Sequence, residues 1–306
     1  MTVHAIDRQL LLQHMPIPQA LYRDRWRLLK PNLGPTRFYN PSVLRVGSKT
    51  WMAYRADMDG HPHLSRIAAC TLDEQWNPEV SSNRCLALPS YYDRYCVEDP
   101  RLFAVQKDVY ISYTDGRRTA LARLDAHFGV DDAWYCETDF KLQSVEKNWI
   151  FFAYGTGIKV IYSLQPHAVM SLDFENERPF CSRQFVTDWP FKWAYGTPRG
   201  GAPPVLHDGY YWHFFHSHVV LENDVRRYYA GVYIFESKPP FRPLAICNDP
   251  ILIGTRENLP PGGTFQVVFP AGVLRETGGW RVAFGRNDLD CCIAHVLDCE
   301  YTMTWL

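Results

Sequence analysis

The sequence predicts an all-β fold, a five-bladed β-propeller built as a single domain over residues 1–306, with the N-terminal ~30 residues as an extension packed on it. Three observations carry this expectation. A hairpin unit recurs five times, helical periodicity is nearly absent, and 19 glycines and 22 prolines punctuate the chain from end to end.

The first two units are NPSVLRVGSKTWMAYRA (40–56) and EDPRLFAVQKDVYISYTD (98–115). Both run through a polar residue, a proline, an apolar strand, a turn and an alternating aromatic strand. Tyr54 lies 13 residues after Pro41, and Tyr113 lies 13 after Pro100. Three looser copies follow: EKNWIFFAYGTGIKVIYSLQP (146–166), GGAPPVLHDGYYWHFFHSH (200–218) and VVFPAGVLRETGGWRVAFGRND (267–288). Each reads as two apolar or alternating runs joined by a short Gly, Lys, Asp or Asn turn, at intervals that suit four-stranded blades. Only RDRWRLL, around residue 26, reads as a short helix. A β-sandwich with coincidental hairpins is the competing architecture.

Composition narrows the function. With 32 Lys plus Arg against 33 Asp plus Glu, the net charge of −1 provides no field to draw in nucleic acid or an anionic membrane, so a bound anion must meet a local cluster. The nine cysteines are scattered without a CxxC pair, which argues against a zinc site or a disulfide framework and for a reducing, cytoplasmic setting. The N-terminus does not read as a secretion signal, and no run approaches the ~20 apolar residues of a membrane span. The pattern is compatible with an oligomer.

In a propeller the first strand of every blade lines a central channel, so the hairpin edges converge there. Those edges supply Asn40 and Arg55; Glu98, Asp99 and Arg101; Glu146, Lys147 and Asn148; Arg199, His216 and His218; and Arg286, Asn287 and Asp288. Singly, each of these reads as a strand cap or a solvated ion pair; as a ring drawn from five units they read as a binding site. Arg101, which follows an Asp-Pro turn, reads as a buried partner of a carboxylate. With 15% aromatic residues, Trp149, Trp193, Tyr195 and Trp212 have core packing as their first expectation; Trp149, next to the polar ring, is also a candidate ligand contact.

NPSV with YRA, VEDPRLF with YISYT, GGAPPV with FFHS, Tyr228 before Gly231, and FGRND resemble, in order, the motifs of the mannoside phosphorylases, glycoside hydrolase family 130. The EKNW and GGAPPV…FFHSH versions resemble more the branch of β-1,2-mannosyltransferases and phosphorylases, glycosyltransferase family 108. The resemblance runs from about residue 35 to about residue 295. It implies a five-bladed propeller that moves mannose between a β-mannoside, β-1,2-linked oligomannosides above all, and inorganic phosphate, with inversion, giving or using α-mannose 1-phosphate. It implies Asp99 as general acid, Arg199, His216 and Tyr228 as phosphate contacts, and Asn40, Arg55 and Asp288 as mannose contacts. Glu98, Lys147 and Trp149 complete the expected sugar site. The family often has lysine where Arg199 stands.

The residue chemistry is compatible with this. An inverting hydrolase needs two carboxyls roughly 6.5–9.5 Å apart, one of them activating water. A phosphorylase needs one acid and a cationic cradle, for which an arginine fork suits two phosphate oxygens. Phosphate is then a co-substrate, and no cofactor or metal is expected. A GDP-mannose-dependent β-mannosyltransferase, a non-catalytic carbohydrate-binding propeller and a hydrolase remain as alternatives.

Overall fold

The computed structural model describes residues 1–7, 11, 35–58, 61–90, 96–175, 178–259 and 262–306. The helix expected near residue 26 lies outside them.

The described chain is all-β and forms five sheets. Sheet 1 holds Pro35–Val46, Lys49–Met58, His61–Leu72 and Arg84–Cys85; sheet 2 holds Glu98–Val105, Asp108–Thr114, Thr119–Leu124 and Val130–Tyr135. Sheet 3 is built on Ile150–Tyr154, Gly157–Ser163, His167–Glu175 and Arg178–Thr187, with Glu137–Thr138 added in parallel at its edge. Sheet 4 centres on Tyr210–Val220 and Arg226–Glu236, and sheet 5 on Val268–Glu276, Gly279–Arg286 and Asp290–Leu297. The recurring hairpins of the sequence are the first antiparallel pairs of the five sheets; in sheet 4 this is the short pair of Val205–His207 with the start of Tyr210–Val220.

Successive side chains of a strand point to opposite faces, and here both faces are covered. Leu102 packs with Trp51, Ile67 and Ile111 between sheets 1 and 2, whereas its neighbour Phe103 packs with Phe151 and Val160 between sheets 2 and 3. Phe152, Phe215 and Tyr233 fill the space between sheets 3 and 4, and Phe214, Trp280 and Val282 that between sheets 4 and 5. The fifth cluster joins Ala283 and Ile293 of sheet 5 to Phe38, Val43 and Met52 of sheet 1. Each sheet therefore meets the next, and the last meets the first, as in a β-propeller. Two covered faces also explain why strands such as IFFAY are apolar without alternation.

The chain ends are stitched into this ring. Thr2–Ala5 pairs antiparallel with Asp290–Leu297 as the outer strand of sheet 5, and Met303–Trp305 pairs with Pro243–Cys247 in sheet 4. The N-terminal residues thus supply a strand to the last sheet. All nine cysteines carry free thiols. No helix among the described residues is long and apolar enough to cross a membrane.

Candidate active site

The proline units place their polar residues by a shared backbone device. The ladder slips between Tyr39 and Ser42 in sheet 1 and between Glu98 and Arg101 in sheet 2. Each bulge contains a proline, which has no N–H to give a ladder. The residue before each proline is left-handed, Asn40 at φ 50° and Asp99 at φ 57°. Asn148, Asn287 and Asp288 share that conformation, at φ 62°, 55° and 53°. Asn and Asp tolerate this region better than other residues with a Cβ, which is why the strand mouths are written with them. Gly285 is required beside Asn40: a Cβ there would lie 2.0 Å from Asn40 Oδ1.

Asp99 stands at the centre of a buried charge network. Asn40 Nδ2 donates to Asp99 Oδ1 at 2.9 Å, and Arg55 Nη1 lies 3.8 Å from the same oxygen. Arg55 is held by Asp57 through Nε to Oδ1 at 2.8 Å and Nη2 to Oδ2 at 3.1 Å, and it also donates to Glu98. Lys147 Nζ takes the other Glu98 oxygen at 2.5 Å. Burial by itself favours a neutral Asp99. Arg55, then Arg101 and Lys147, together with the Asn40 amide, outweigh it and hold the carboxyl below the usual carboxylate range.

Arg101 does not hold a carboxylate side chain, contrary to expectation. Its guanidinium donates to three carbonyl oxygens: Nε to Gly201 O at 2.6 Å, Nη1 to Asp99 O at 3.1 Å and Nη2 to Asn148 Oδ1 at 3.1 Å. It thereby ties sheet 2 to the segments that open sheets 3 and 4. Behind Gly201, its N–H donates to His213 Nε2 at 3.3 Å, and Tyr233 OH lies 3.1 Å from His213 Nδ1 and 2.9 Å from His167 Nε2. Burial pushes the His167 imidazole down to about 3 and that of His213 well below its usual value, so this support is neutral at pH 7.

The expected anion contacts lie together on sheet 4. Arg199 and His216 exchange backbone hydrogen bonds of 2.8 and 3.1 Å, and the Tyr228 ring lies near-parallel to that of His216 at 6.1 Å between centroids. Among the described residues the Arg199 side chain is exposed and has no hydrogen-bond or ion-pair partner. His216 is not a second cation: burial first, then Arg101 and Arg199, push its imidazole down to about 3. Lys147, Asn148, Arg199 and Gly200 line a cavity of about 300 Å³. Asp288 carries no protein hydrogen bond among the described residues; burial pushes its carboxyl up to about 6, opposed by Arg55 and reinforced by Asp99 and two further carboxylates.

The remaining candidates are structural. Trp149 is corrected from a sugar contact to a core residue. Its ring is 2% exposed, packs on Tyr162 and donates from Nε1 to Glu146 Oε2 at 3.0 Å, leaving no face for a ligand. Glu98 is 5% exposed and has both oxygens occupied by cations, so it orients Arg55 and Lys147. Asn287 clamps the carbonyls of Thr255 and Glu257, and Arg286 pairs with Asp290 and Glu257. Trp193 and Trp212 pack against the apolar cluster between sheets 4 and 5, and Tyr195 donates to Asp249 at 3.1 Å. Sequence reasoning missed Asp57, although its place two residues after Arg55 puts both on one face of a strand. Among the described residues no group of three or more His, Cys, Asp or Glu side chains is arranged to hold a metal ion.

No protein-family model and no curated protein matches the chain. Solved structures do. A β-1,2-mannobiose phosphorylase from Listeria innocua, in complex with β-1,2-mannobiose, superposes with a TM-score of 0.63 at 13% identity, covering 98% of each chain. A mannose phosphorylase from Leishmania mexicana, in complex with phosphate, gives 0.53 at 13% identity over 88% of this chain and 87% of that one. A GDP-mannose-dependent mannosyltransferase from the same organism gives 0.55 at 14% identity over 85% of both. At these identities the likeness is one of fold: the chain shares a β-propeller-like fold with these two phosphorylases and with a nucleotide-sugar transferase.

Proposed function

We propose that the five sheets are the blades of one five-bladed propeller domain, and that the protein is an inverting phosphorylase moving mannose between β-mannosides, β-1,2-linked oligomannosides foremost, and phosphate. The observation that carries this reading is Arg199. The Arg55, Arg101 and Lys147 cations of the network are bound to protein oxygens, whereas Arg199 is left without a partner among the described residues, beside His216 and Tyr228. An unpaired guanidinium flanked by two neutral donors suits a phosphate better than a sugar hydroxyl. The likeness of fold to a phosphate-bound and a mannobiose-bound phosphorylase supports the same reading.

The electrostatics assign a direction to Asp99. Held as a carboxylate by its cationic neighbours, it is in the form that acts as base in synthesis. The acceptor hydroxyl gives its proton to Asp99, its oxygen bonds to C1 of mannose 1-phosphate, the C1–O(phosphate) bond breaks, and phosphate leaves with the bonding pair towards Arg199. In phosphorolysis the steps reverse: a bound phosphate dianion offsets the field of the cations around Asp99, which favours the protonated acid that the departing sugar oxygen needs. Asn40 fixes the Asp99 carboxylate, and Asp288, which carries no protein hydrogen bond among the described residues, accepts from a mannose hydroxyl in this reading.

The likeness to a GDP-mannose-dependent transferase favours a second reading, GDP-mannose as donor on the same platform. Incubation with mannose and either mannose 1-phosphate or GDP-mannose, following phosphate or GDP release, separates the two. Phosphate release from mannose 1-phosphate alone supports phosphorylase chemistry; GDP release alone overturns it.

A further inference from the structure

A second cavity lies apart from the one beside Arg199. A groove of about 980 Å³ lies between the outer strand of sheet 2, Val130–Tyr135, and the outer strands of sheet 3, and its walls include Trp134, Tyr135, Phe140, Lys141, Arg118 and Arg178. Its volume stands at the upper end of the ~300–1,000 Å³ range of small-molecule sites, and the inner cavity stands at the lower end.

Three contacts join the two spaces. Leu142 lines the groove and the next residue, Gln143, lines the inner cavity. Arg118, in the groove, donates from Nη1 to Gln143 O at 2.9 Å. Phe140 of the groove packs edge-on against Tyr162 of the inner cavity, with centroids 5.3 Å apart. The groove also opens at the catalytic end of sheet 2. Thr114 pairs with Glu98 across the ladder, so the turn carrying Arg118 sits at the same end as Asp99, and Tyr135 donates to Asp115 Oδ2 of that turn at 2.9 Å.

We propose that this groove is an extended saccharide site, which holds the distal sugars of an oligomannoside whose reacting end occupies the cavity beside Lys147 and Arg199. The inference rests on the proposed mannoside chemistry and adds chain length to it: the preferred acceptor is an oligosaccharide of several sugars. The lining favours a neutral, hydroxyl-rich ligand over an anion. Arg178 is paired with Glu137 and Arg118 with the Gln143 carbonyl, so no unopposed cluster of cations lines it, while the half-buried Trp134 offers apolar ring surface to the C–H face of a pyranose. Glu137 and Lys141 supply an acceptor and donors for hydroxyls.

The test compares acceptors of different length in Trp134→Ala, with Lys141→Trp, which puts a bulky ring at an exposed position of the groove wall, as a second variant. Both are expected to raise KM for a β-1,2-linked oligomannoside of five or more sugars about fivefold to tenfold and to leave KM and kcat for mannobiose unchanged. Binding is read separately, by titrating oligomannosides into Asp99→Asn and into the double variant with Trp134→Ala. That reading does not depend on turnover, so loss of long-chain binding supports the groove even if no phosphorolysis occurs. Equal KM values for short and long acceptors in the parent, or unchanged long-chain binding in both groove variants, overturn the proposal. Unfolding of Trp134→Ala alone leaves Lys141→Trp to decide it.

Discussion

Replacing Arg101 with methionine keeps much of the side-chain volume and removes the guanidinium that joins three sheets. Three charge-assisted hydrogen bonds are lost, to Gly201 O, Asp99 O and Asn148 Oδ1, each contributing ~1.5–3 kcal/mol. Against this, burial disfavours the Arg101 charge enough to push the group down to about 10, and a buried cation costs several kcal/mol, which the substitution relieves. The net destabilisation is about 2–4 kcal/mol, which for 306 residues corresponds to roughly 3–6 °C in melting temperature. The variant also changes Asp99, because Arg101 is among the groups that hold its carboxyl low. The folded pKa of Asp99 then rises. The stability Asp99 contributes, present above its unfolded pKa and lost as pH falls through the folded one, is lost at higher pH than in the parent. The acid limb of the synthetic pH–rate profile moves in the same direction, since synthesis uses the carboxylate. Thermal melts and pH–rate profiles on one preparation read both effects. A melt within 1 °C of the parent with an unmoved acid limb refutes the reasoning.

Asp99→Asn is expected to lower turnover ~10²–10⁴-fold in both directions with a near-native melt, because asparagine accepts the left-handed backbone and loses only the transferable proton; activity within a few-fold of the parent moves the acid elsewhere. Arg199→Ala is expected to raise KM for phosphate far more than KM for the mannoside, and equal increases contradict the division of the pocket. Asp288, with its folded pKa raised to about 6, gives stability that is complete below its unfolded pKa and lost as pH rises through 6. Asp288→Asn should therefore melt higher than the parent at pH 8, and that advantage should vanish by pH 4; a constant difference across that range rules out the raised carboxyl.

The hairpins were legible because the five sheets repeat one local pattern, and the Asn-Pro and Asp-Pro pairs marked the candidate site because only a few side chains accept a left-handed residue beside a bulge. What a residue does there was less legible. Trp149 has the sequence surroundings of a ligand contact, yet its indole found Glu146 three residues upstream and turned into the core. Arg101 reads as half of an Asp–Arg pair, but its fork reaches the Asp99 carbonyl of its own strand and two oxygens brought in from distant segments, Gly201 O and Asn148 Oδ1. The His213–Tyr233–His167 support and the closure of sheet 5 by Thr2–Ala5 depend on contacts between segments far apart in sequence, which local periodicity does not encode. The charge state of His216 was hidden for the same reason, being set by Arg101 and by burial among neighbours that only the fold assembles.

The central claim is that phosphate occupies the space beside Arg199 and exchanges with a mannoside through Asp99. It is tested most directly by incubating the protein with β-1,2-mannobiose and inorganic phosphate, with EDTA present, and measuring mannose 1-phosphate. The account predicts α-mannose 1-phosphate at a rate that EDTA leaves unchanged and that disappears in Asp99→Asn, because arginine and the neutral donors of His216 and Tyr228 supply the charge stabilisation. Free mannose without mannose 1-phosphate, or no reaction until GDP-mannose is supplied, would contradict it.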